Sequence, residues 1–254
     1  MNRPADLTKL YDGDFYDGQR EGSRASAEIA VALILEMLSP KSVIDIGTGV
    51  GHWPTTFKKM GVPLVRGVDG PWARNSAQQL GNDEFIPCDF SIEPMPFDLG
   101  LKDKSFDLVT SFEFGEHIVD GRADALVDFV CRLSDVVLFG GDLPGAGGTN
   151  HVNEQWPAYW REKFNARGYV ACDFFRPMLW TDHGGEYWYP QNTICYFKGA
   201  APARVMKAAA EAWAAFATSA PSIVHPELWE AKCAIGWRDL TLQRIREAKR
   251  RLIG

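Results

Sequence analysis

A short apolar run followed by three alternating glycines most constrains what this chain can fold into. Residues 42–53 read SVIDIGTGVGHW, with β-branched side chains at Val43, Ile44 and Ile46. Because apolar residues fill both faces of the run, the pattern predicts a strand buried on both sides, as in a parallel sheet. The glycines that follow permit unusual backbone conformations and let a ligand approach the main chain closely. The pattern therefore predicts an α/β fold with a ligand at the carboxyl end of this strand.

Acidic residues stand at the predicted ends of three successive strands. Asp45 lies near the end of the first strand, Asp69 ends the second (residues 63–68), and Asp89 follows the third (residues 84–88). An acid about 20 residues beyond a glycine turn can accept hydrogen bonds from both ribose hydroxyls. A purely structural turn would explain the glycines, but it would not explain an acid at each strand end. The arrangement favours a nucleotide-like ligand.

The order acid-x-Gly-x-Gly-x-Gly at residues 45–51 resembles motif I of the class I S-adenosylmethionine-dependent methyltransferases, and the resemblance covers residues 16–198. It implies a Rossmann-like seven-stranded α/β sheet with helices on both faces, and S-adenosylmethionine as cofactor. It also implies that Asp69 binds the ribose, that Asp89 binds the adenine amino group and that Phe90 packs on the adenine ring. A structural role is an equal alternative for the histidine beside the turn. The implied cofactor-binding residues are Asp45, Gly47, Thr48, Gly49, Gly51, His52, Asp69, Gly70, Asp89, Phe90 and Phe112.

Acids and histidines cluster after the predicted fourth and fifth strands. The fourth strand runs into FEFGEHI, which brings Glu113, Glu116 and His117 within one helical turn, and His151 follows the fifth strand in GGTNHVNEQW. Residues three and four positions apart share a helix face. Oxygen-rich ligand sets suit Mg²⁺ or Mn²⁺, and imidazole shifts the preference toward Mn²⁺, Fe²⁺ or Zn²⁺. These four side chains therefore form a candidate divalent-metal site.

The string E-x-x-E-H, followed by a later histidine, resembles the metal site of 2′-O-methyltransferases that act on small-RNA ends, and the string alone resembles the ubiquinone-pathway O-methyltransferases. Metal-free relatives carry similar strings, in which the histidine contacts the cofactor or acts as a base. In one hypothesis, Glu113, Glu116, His117 and His151 bind Mg²⁺ or Mn²⁺, which lowers the pKa of an acceptor hydroxyl. In the other, His151 or His117 is a general base and no metal takes part. The predicted catalytic residues are His151, His117 and Glu116.

The stretches HVNEQWPAYW and YPQN place amide side chains beside aromatic ones, and they resemble bacterial methyltransferases of glycan and natural-product pathways. Amide groups next to flat apolar surfaces suit a hydroxyl-rich ligand, although the tryptophans could equally be core residues. We expect a small polar acceptor, methylated at an oxygen of a sugar or a natural-product intermediate. The predicted substrate-binding residues are Asn153, Gln155, Trp156, Tyr159, Trp188 and Asn192.

Three other functions compete with this prediction. The nearest is N-methylation of an amino group on a small metabolite, although no N-P-P-Y type motif is present. The E-x-x-E-H string favours RNA 2′-O-methylation, but a formal net charge of −6 argues against a nucleic-acid partner. A non-enzymatic cofactor-binding protein would have no use for Glu116 and His151.

The chain is predicted to contain one catalytic domain with two appendages. We expect residues 1–20 to be an N-terminal lid or tail, residues 21–199 the methyltransferase domain, and residues 200–254 a C-terminal helical extension. The extension is expected to bury Trp213, Trp229 and Trp237, either against its own domain or against a second subunit in a homodimer. Helices are predicted over residues 23–38, 53–60, 73–80, 120–133, 154–167, 203–218 and 227–252, and the last two strands over residues 169–175 and 192–197.

Composition points to a cytoplasmic protein without a membrane partner. The five cysteines are scattered without a C-x-x-C pair, which indicates neither a zinc knuckle nor a disulfide framework. The beginning of the sequence lacks the apolar core of a secretory signal, and no apolar stretch is long enough to span a bilayer. We expect reduced, buried thiols, and we place His183 and His225 in loops or at the surface.

Overall fold

The computed structural model describes residues 13–92, 99–180 and 184–216, together with the single residues His225 and Leu228. For residues 13–20 and Phe216 it describes the backbone only. Most of the predicted N-terminal lid and most of the C-terminal extension lie outside the described residues. His183, in the domain between them, also lies outside the described residues.

Seven strands form one mixed sheet in the order β3-β2-β1-β4-β5-β7-β6. Neighbouring strands are parallel, except that β7 runs antiparallel to both β5 and β6. The carboxyl ends of β1, β2, β4 and β5 therefore meet at one edge of the sheet, which confirms the predicted Rossmann-like fold. The strands are β1 (Ser42–Ile46), β2 (Leu64–Asp69), β3 (Phe85–Pro87), β4 (Leu108–Ser111), β5 (Val136–Phe139), β6 (Tyr169–Cys172) and β7 (Ile194–Lys198).

Helices cover both faces of the sheet. They are α1 (Gly13–Leu38), α2 (His52–Lys59), α3 (Ala123–Leu133), α4 (Pro157–Ala166), α5 (Phe175–Leu179), α6 (Trp188–Asn192) and α7 (Ala203–Phe216). Short 3-10 turns occur at Pro71–Asn75, Gly115–His117 and Asp120–Arg122. The side chains of β1 alternate between the two faces, as a strand requires. Val43 joins the apolar layer beneath α1 and α2, whereas Ile44 and Ile46 join the layer beneath α3 and α4.

Several element boundaries differ from the sequence prediction. Helix α1 begins at Gly13 rather than at residue 23, so it crosses the predicted boundary between lid and domain. The helix predicted over residues 73–80 is instead the 3-10 turn Pro71–Asn75, because Asn and Ser side chains favour turns over helix interiors. Strand β6 ends at Cys172 rather than at residue 175, and the short helices α5 and α6 lie between β6 and β7.

Helix α7 packs on its own domain. Trp213 Nε1 donates a hydrogen bond to the carbonyl of Asp173 at 2.7 Å, and Arg204 donates to the carbonyl of Glu36 at 2.9 Å. The Arg176 guanidinium lies 5.5 Å from the centre of the Trp213 ring. Trp213 thus contacts the domain but is only partly buried, and Trp229 and Trp237 lie outside the described residues. Subunit pairing stays a prediction.

Two expectations drawn from composition concern the cysteines and membrane-spanning helices. Cys88, Cys131, Cys172 and Cys195 are all buried, as expected. Within the described ranges, no helix is both long and apolar enough to cross a bilayer.

Candidate active site

The turn between β1 and α2 is fastened to the end of β2. Gly47, Gly49 and Gly51 have φ angles of 78°, 52° and 80°, a region that glycine enters without strain. The N–H of Gly49 donates to Asp69 Oδ2 at 2.7 Å, and the N–H of Gly70 donates to Asp69 Oδ1 at 2.6 Å. Burial raises the pKa of Asp69 to about 6, although these two donors oppose the shift. The glycine turn and Asp69 therefore lie side by side at the ends of β1 and β2.

Phe114 lies directly against the glycine turn. A Cβ atom added to Gly47 would lie 2.4 Å from the Phe114 ring, so the close approach of this ring requires glycine. Phe114 in turn packs edge to face on Phe90, with ring centroids 5.1 Å apart. Sequence reasoning missed Phe114, because no motif position distinguishes it from its neighbours.

Gly47→Ala is expected to destabilise the fold more than Gly199→Ala. The two glycines have nearly the same φ, 78° and 77°, so both substitutions carry a similar backbone cost of roughly 1–2 kcal/mol. A Cβ at Gly199 would meet nothing within 4 Å, whereas one at Gly47 collides with Phe114. Displacing a packed ring adds about 1–3 kcal/mol. Urea unfolding of both variants measures the difference, and equal losses would contradict the steric argument.

Asp45 is a buried carboxylate with one unsatisfied oxygen. Its side chain is 1% exposed, and Thr110 Oγ1 donates to Asp45 Oδ1 at 2.7 Å. Asp45 Oδ2 has no hydrogen-bond partner within the described part of the chain. Burial raises the pKa of Asp45 to about 7. Buried polar atoms are nearly always paired, so this oxygen points to a donor supplied by a ligand.

His52 and Thr48 are buried beside the same turn. His52 Nδ1 lies 2.8 Å from Ser23 Oγ, which ties the start of α2 to α1. This contact places α1 at the glycine turn. The Thr48 side chain is 3% exposed and lies beneath the turn against Gly67.

The remaining predicted cofactor residues occupy two different environments. Asp89 stays partly exposed after β3, and its Oδ1 accepts hydrogen bonds from the N–H and the hydroxyl of Ser91. Phe90 is buried in the apolar layer beneath α3, whereas Phe112 packs in the opposite layer, 4.0 Å from the Trp53 ring. Both phenylalanines therefore have core contacts that do not depend on a ligand.

Three carboxylates gather where β4 and β5 end. Glu113 and Glu116 follow β4, Asp142 follows β5, and one oxygen from each lies within 4.8 Å of the others. We call these residues the acid cluster. Burial and the neighbouring carboxylates raise the pKa of Glu113 well above its usual value, and burial raises the pKa of Glu116 to about 8 and also raises that of Asp142. Like charges this close in a buried site favour proton uptake or a bound cation.

The acid cluster shows two local signs of a ligand site. Glu113 has a φ of 52°, a left-handed conformation that is uncommon outside glycine and that recurs at functional sites. The Glu116 side chain is 1% exposed, and its Oε2 has no hydrogen-bond partner in the described ranges. Its backbone is nevertheless firmly held, because the Glu116 carbonyl accepts hydrogen bonds from the N–H groups of Val152 and Asn153 at 2.9 and 3.0 Å.

His117 and His151 form a histidine pair beside the acid cluster. Their rings meet edge to face with centroids 5.0 Å apart, and both offer a nitrogen within 4.8 Å of Glu116. Burial and the facing His151 lower the pKa of His117 to about 4, so its imidazole is neutral at physiological pH. All four residues of the predicted metal site line one cavity, but Glu113 shares a candidate ligand group with Glu116 and Asp142 rather than with the two histidines. The structure adds Asp142, which sequence reasoning missed.

Glu154 links His151 to the glycine-rich loop after β5. Its Oε1 lies 3.3 Å from His151 Nδ1, and its two oxygens accept hydrogen bonds from the N–H groups of Gly145 and Gly147 at 2.7 and 2.5 Å. Burial alone would raise the pKa of Glu154, but these donors lower it. Asp142 Oδ2 is also 3.5 Å from His151 Nδ1. Sequence reasoning missed Glu154, although it lies only three positions after His151.

A cavity of about 350 Å³ opens at the acid cluster. The acid cluster, the histidine pair and Ser23 of α1 all line this cavity. Further lining residues are Glu186, Tyr187, Trp188, Tyr189 and Leu228. Carboxylates, imidazoles and aromatic rings therefore surround one space large enough for a small molecule.

Of the predicted substrate-binding residues, one lines the cavity, one lies behind the lining and four lie elsewhere. Trp188 lines the cavity, and Asn192 lies behind it, where its Nδ2 donates to both oxygens of Glu113 at 3.0 Å. The others lie outside the cavity lining. Asn153 Oδ1 accepts from Gln155, Trp156 is 42% exposed, and Tyr159 donates to Asp120 at 2.5 Å.

His225 lies outside the helices and strands, which agrees with the loop alternative, but it is not at the surface. The residue is buried, and its ring stacks on Tyr187 with centroids 5.1 Å apart. The isolated residue in a proline-rich stretch gave no signal of this packing.

Comparison with known proteins identifies the fold and the family. Residues 16–209 match the sequence profile of a methyltransferase domain family. The chain resembles one from the Haloferax volcanii complex of the Trm112 methyltransferase activator with a methyltransferase, with a TM-score of 0.55 and 16% identity over 78% of this chain and 100% of that one. It resembles an O-methyltransferase family protein from Burkholderia thailandensis (TM-score 0.54, 14% identity, 74% of this chain and 59% of that one). A third similar structure is an S-adenosylmethionine-dependent methyltransferase from Archaeoglobus fulgidus (TM-score 0.50, 18% identity, 63% and 75%).

At these identities the structural likeness concerns the fold, and no curated protein matches the chain. The family profile, by contrast, covers most of the sequence and includes the glycine turn, the acid cluster and the histidine pair. The strand order and the antiparallel β7 agree with the Rossmann-like sheet that the resemblance in sequence implies. The chain belongs to the class I S-adenosylmethionine-dependent methyltransferases.

Proposed function

We propose that this methyltransferase modifies a hydroxyl of a small polar acceptor, such as a sugar or a natural-product intermediate, with a divalent cation held at the acid cluster. The observation that carries the proposal is that three carboxylates and two histidines, with Glu116 fully buried among them, line one cavity. Such a charge arrangement needs a partner, and an acceptor hydroxyl needs activation before it can attack a methyl group.

The cofactor fits the residues at the ends of β1 and β2. The unpaired, buried Asp45 Oδ2 calls for a donor, and the glycine turn leaves its backbone open to close approach. Asp69, at the end of β2, has the position of a ribose-binding acid. The residues proposed to hold S-adenosylmethionine are Asp45, Gly47, Thr48, Gly49, Gly51, His52, Asp69, Gly70, Asp89, Phe90 and Phe112.

The acid cluster and the histidine pair fit Mg²⁺ or Mn²⁺. The ligand atoms form two overlapping groups that share Glu116, whose Oε2 is buried and unpaired in the described chain. His117 is neutral, which is the protonation state of a metal ligand. A divalent cation supplies positive charge that lowers the pKa of an acceptor hydroxyl. The proposed ligands are Glu113, Glu116, His117 and His151, with Asp142 now added.

His151 is the residue best placed to handle the acceptor proton. It lines the cavity, and the Glu154 carboxylate beside Nδ1 favours a proton on that nitrogen. The other ring nitrogen then remains available for the acceptor or for a cation. Trp188 and Tyr187 offer apolar faces to the acceptor in the same cavity.

Amine methylation is the second candidate, because a carboxylate-rich cavity with aromatic walls also suits a cationic amine. Glu186 adds a fourth carboxylate to this cavity. RNA is less well supported, since a wall of carboxylates repels phosphate. The Haloferax volcanii complex suggests binding of a Trm112-type activator as another function. No contact surface among the described residues of this chain supports that function.

The acceptor class can be tested directly with the full chain. Formation of S-adenosylhomocysteine would be measured with matched pairs of small acceptors that carry either a hydroxyl or an amino group at the same position. We expect turnover with hydroxyl acceptors and dependence on Mn²⁺ or Mg²⁺. Turnover confined to the amino member of each pair, unaffected by chelator, would favour the second candidate.

Asp69→Ala is expected to weaken S-adenosylmethionine binding by about 2 kcal/mol, because charge-assisted hydrogen bonds to the ribose are lost. Asp107 provides a matched control, because its carboxylate also accepts two backbone N–H bonds, from Lys41 and Ser42, near the opposite end of β1. Calorimetric titration of both alanine variants measures the affinity. Unchanged binding by Asp69→Ala would refute the assignment.

A further inference from the structure

A ladder of buried amides connects the C-terminal part of the chain with the acid cluster. The backbone N–H of His225 donates to Gln191 Oε1, and Gln191 Nε2 donates to Asn192 Oδ1 at 3.2 Å. Asn192 Nδ2 then donates to both oxygens of Glu113 at 3.0 Å and to Asp142 Oδ1 at 3.1 Å. One NH₂ group thus bridges two of the three carboxylates. Gln191 and Asn192 are 0% and 3% exposed, so water does not replace these bonds.

The direction of every bond in the ladder follows from its first member. A backbone N–H can only donate, so the oxygen of the Gln191 amide must face His225. The Gln191 NH₂ group therefore faces Asn192, which must present its oxygen to receive it. The Asn192 NH₂ group is then left to face Glu113 and Asp142. Reversing either amide would set two donors or two acceptors against each other in a buried site.

Two further contacts bring the same C-terminal residues to the active site. The His225 ring stacks on Tyr187, which lines the cavity, and lies 5.1 Å from the Trp180 ring. Leu228, three positions later, is buried and forms part of the cavity wall. The hydrogen bond to Gln191, the stacking on Tyr187 and the place of Leu228 in the cavity lining are independent contacts of His225 and Leu228.

We propose that His225 and Leu228 complete the active site, and that Gln191 is a positioning residue that transmits the contact with His225 to the acid cluster. The His225 N–H fixes Gln191, Gln191 fixes Asn192, and Asn192 holds Glu113 and Asp142 together for a cation. Asn192, expected from sequence to bind substrate, acts here through the carboxylates. The inference rests on the proposed function only for the use of the acid cluster.

Two substitutions break the ladder at different places in the full chain. Gln191→Met keeps the side-chain length and removes both hydrogen bonds, and His225→Pro removes the backbone donor. His225→Ala is the matched control for the second variant, since it deletes the ring but keeps the N–H. Thermal unfolding shows whether each variant is folded, and only folded variants are compared.

The first measurement is the hydrogen exchange of the Asn192 side-chain amide, followed by NMR with ¹⁵N-asparagine labelling. We expect slow exchange in the wild type and in His225→Ala, and fast exchange in Gln191→Met and His225→Pro. The second measurement is Mn²⁺ affinity by calorimetry, which should fall roughly 10- to 100-fold in the same two variants, as when an outer-sphere partner of a metal ligand is lost.

The two measurements test the amide ladder and the proposed cation site separately. Fast exchange in the two ladder variants, with no Mn²⁺ binding even by the wild type, would support the ladder and contradict the proposed cation. Slow exchange and unchanged Mn²⁺ affinity in Gln191→Met and His225→Pro would overturn the inference. If Gln191→Met does not fold, His225→Pro alone decides the outcome.

Discussion

Prior dialysis against chelator, followed by assay in excess EDTA, is expected to abolish methyl transfer, and added Mn²⁺ or Mg²⁺ is expected to restore it. The reason is electrostatic: Glu113, Glu116 and Asp142 each place one oxygen within 4.8 Å of the others, Glu116 is buried, and its pKa is raised to about 8. A divalent cation would offset the repulsion between them and would lower the pKa of the acceptor hydroxyl. Full turnover in excess EDTA would end the metal hypothesis.

Glu116→Gln is the variant that tests the same site without chelator. Glu116 belongs to both groups of candidate ligands, so its loss should weaken Mn²⁺ binding by more than the roughly 10- to 100-fold that an outer-sphere partner contributes. Glu162→Gln is a suitable control, because it makes the same change at an exposed position of α4. Calorimetry with Mn²⁺ compares the two variants. Equal affinities would exclude Glu116 as a ligand.

The fold could be predicted from the sequence because its signals are local. The apolar run at Val43–Ile46, the glycine turn and the acid at Asp69 each depend on a few consecutive residues, and the parallel pairing of β1 with β2 follows from them. Boundaries were less predictable where packing decides them. Phe174 and Phe175 have the composition of a strand, but both are buried against neighbouring helices after β6 has ended.

The active site was predictable only where its residues share a motif. Glu113, Glu116 and His117 lie in one string, and His151 was found from its place after β5. Asn192 reaches the acid cluster through tertiary contacts, because β7 returns antiparallel beside β5 and carries α6 to the strand ends. No spacing along the chain indicates such a contact. The same holds for His225, whose proposed role depends on its contact with Gln191, which is far away in sequence.

His151→Ala is expected to lower kcat by roughly 10²–10⁴-fold, the range in which a general base contributes to catalysis. Binding of S-adenosylmethionine should be unchanged, because His151 lies after β5 and the proposed cofactor residues lie at the ends of β1, β2 and β3. Glu154→Gln tests the support of this imidazole: it should retain more activity, since Asp142 Oδ2 still lies 3.5 Å from His151 Nδ1.

Comparing His151→Ala with Glu116→Gln also separates the two chemical hypotheses. If His151 is a base and no cation takes part, Glu116→Gln should cost less activity than His151→Ala, and added imidazole should restore part of the loss. If both residues bind a cation, both variants should lose Mn²⁺ affinity and activity together. Single-turnover rates at saturating S-adenosylmethionine provide the comparison, because they isolate chemistry from product release. A His151→Ala rate within a few-fold of wild type would remove His151 from the reaction under either hypothesis.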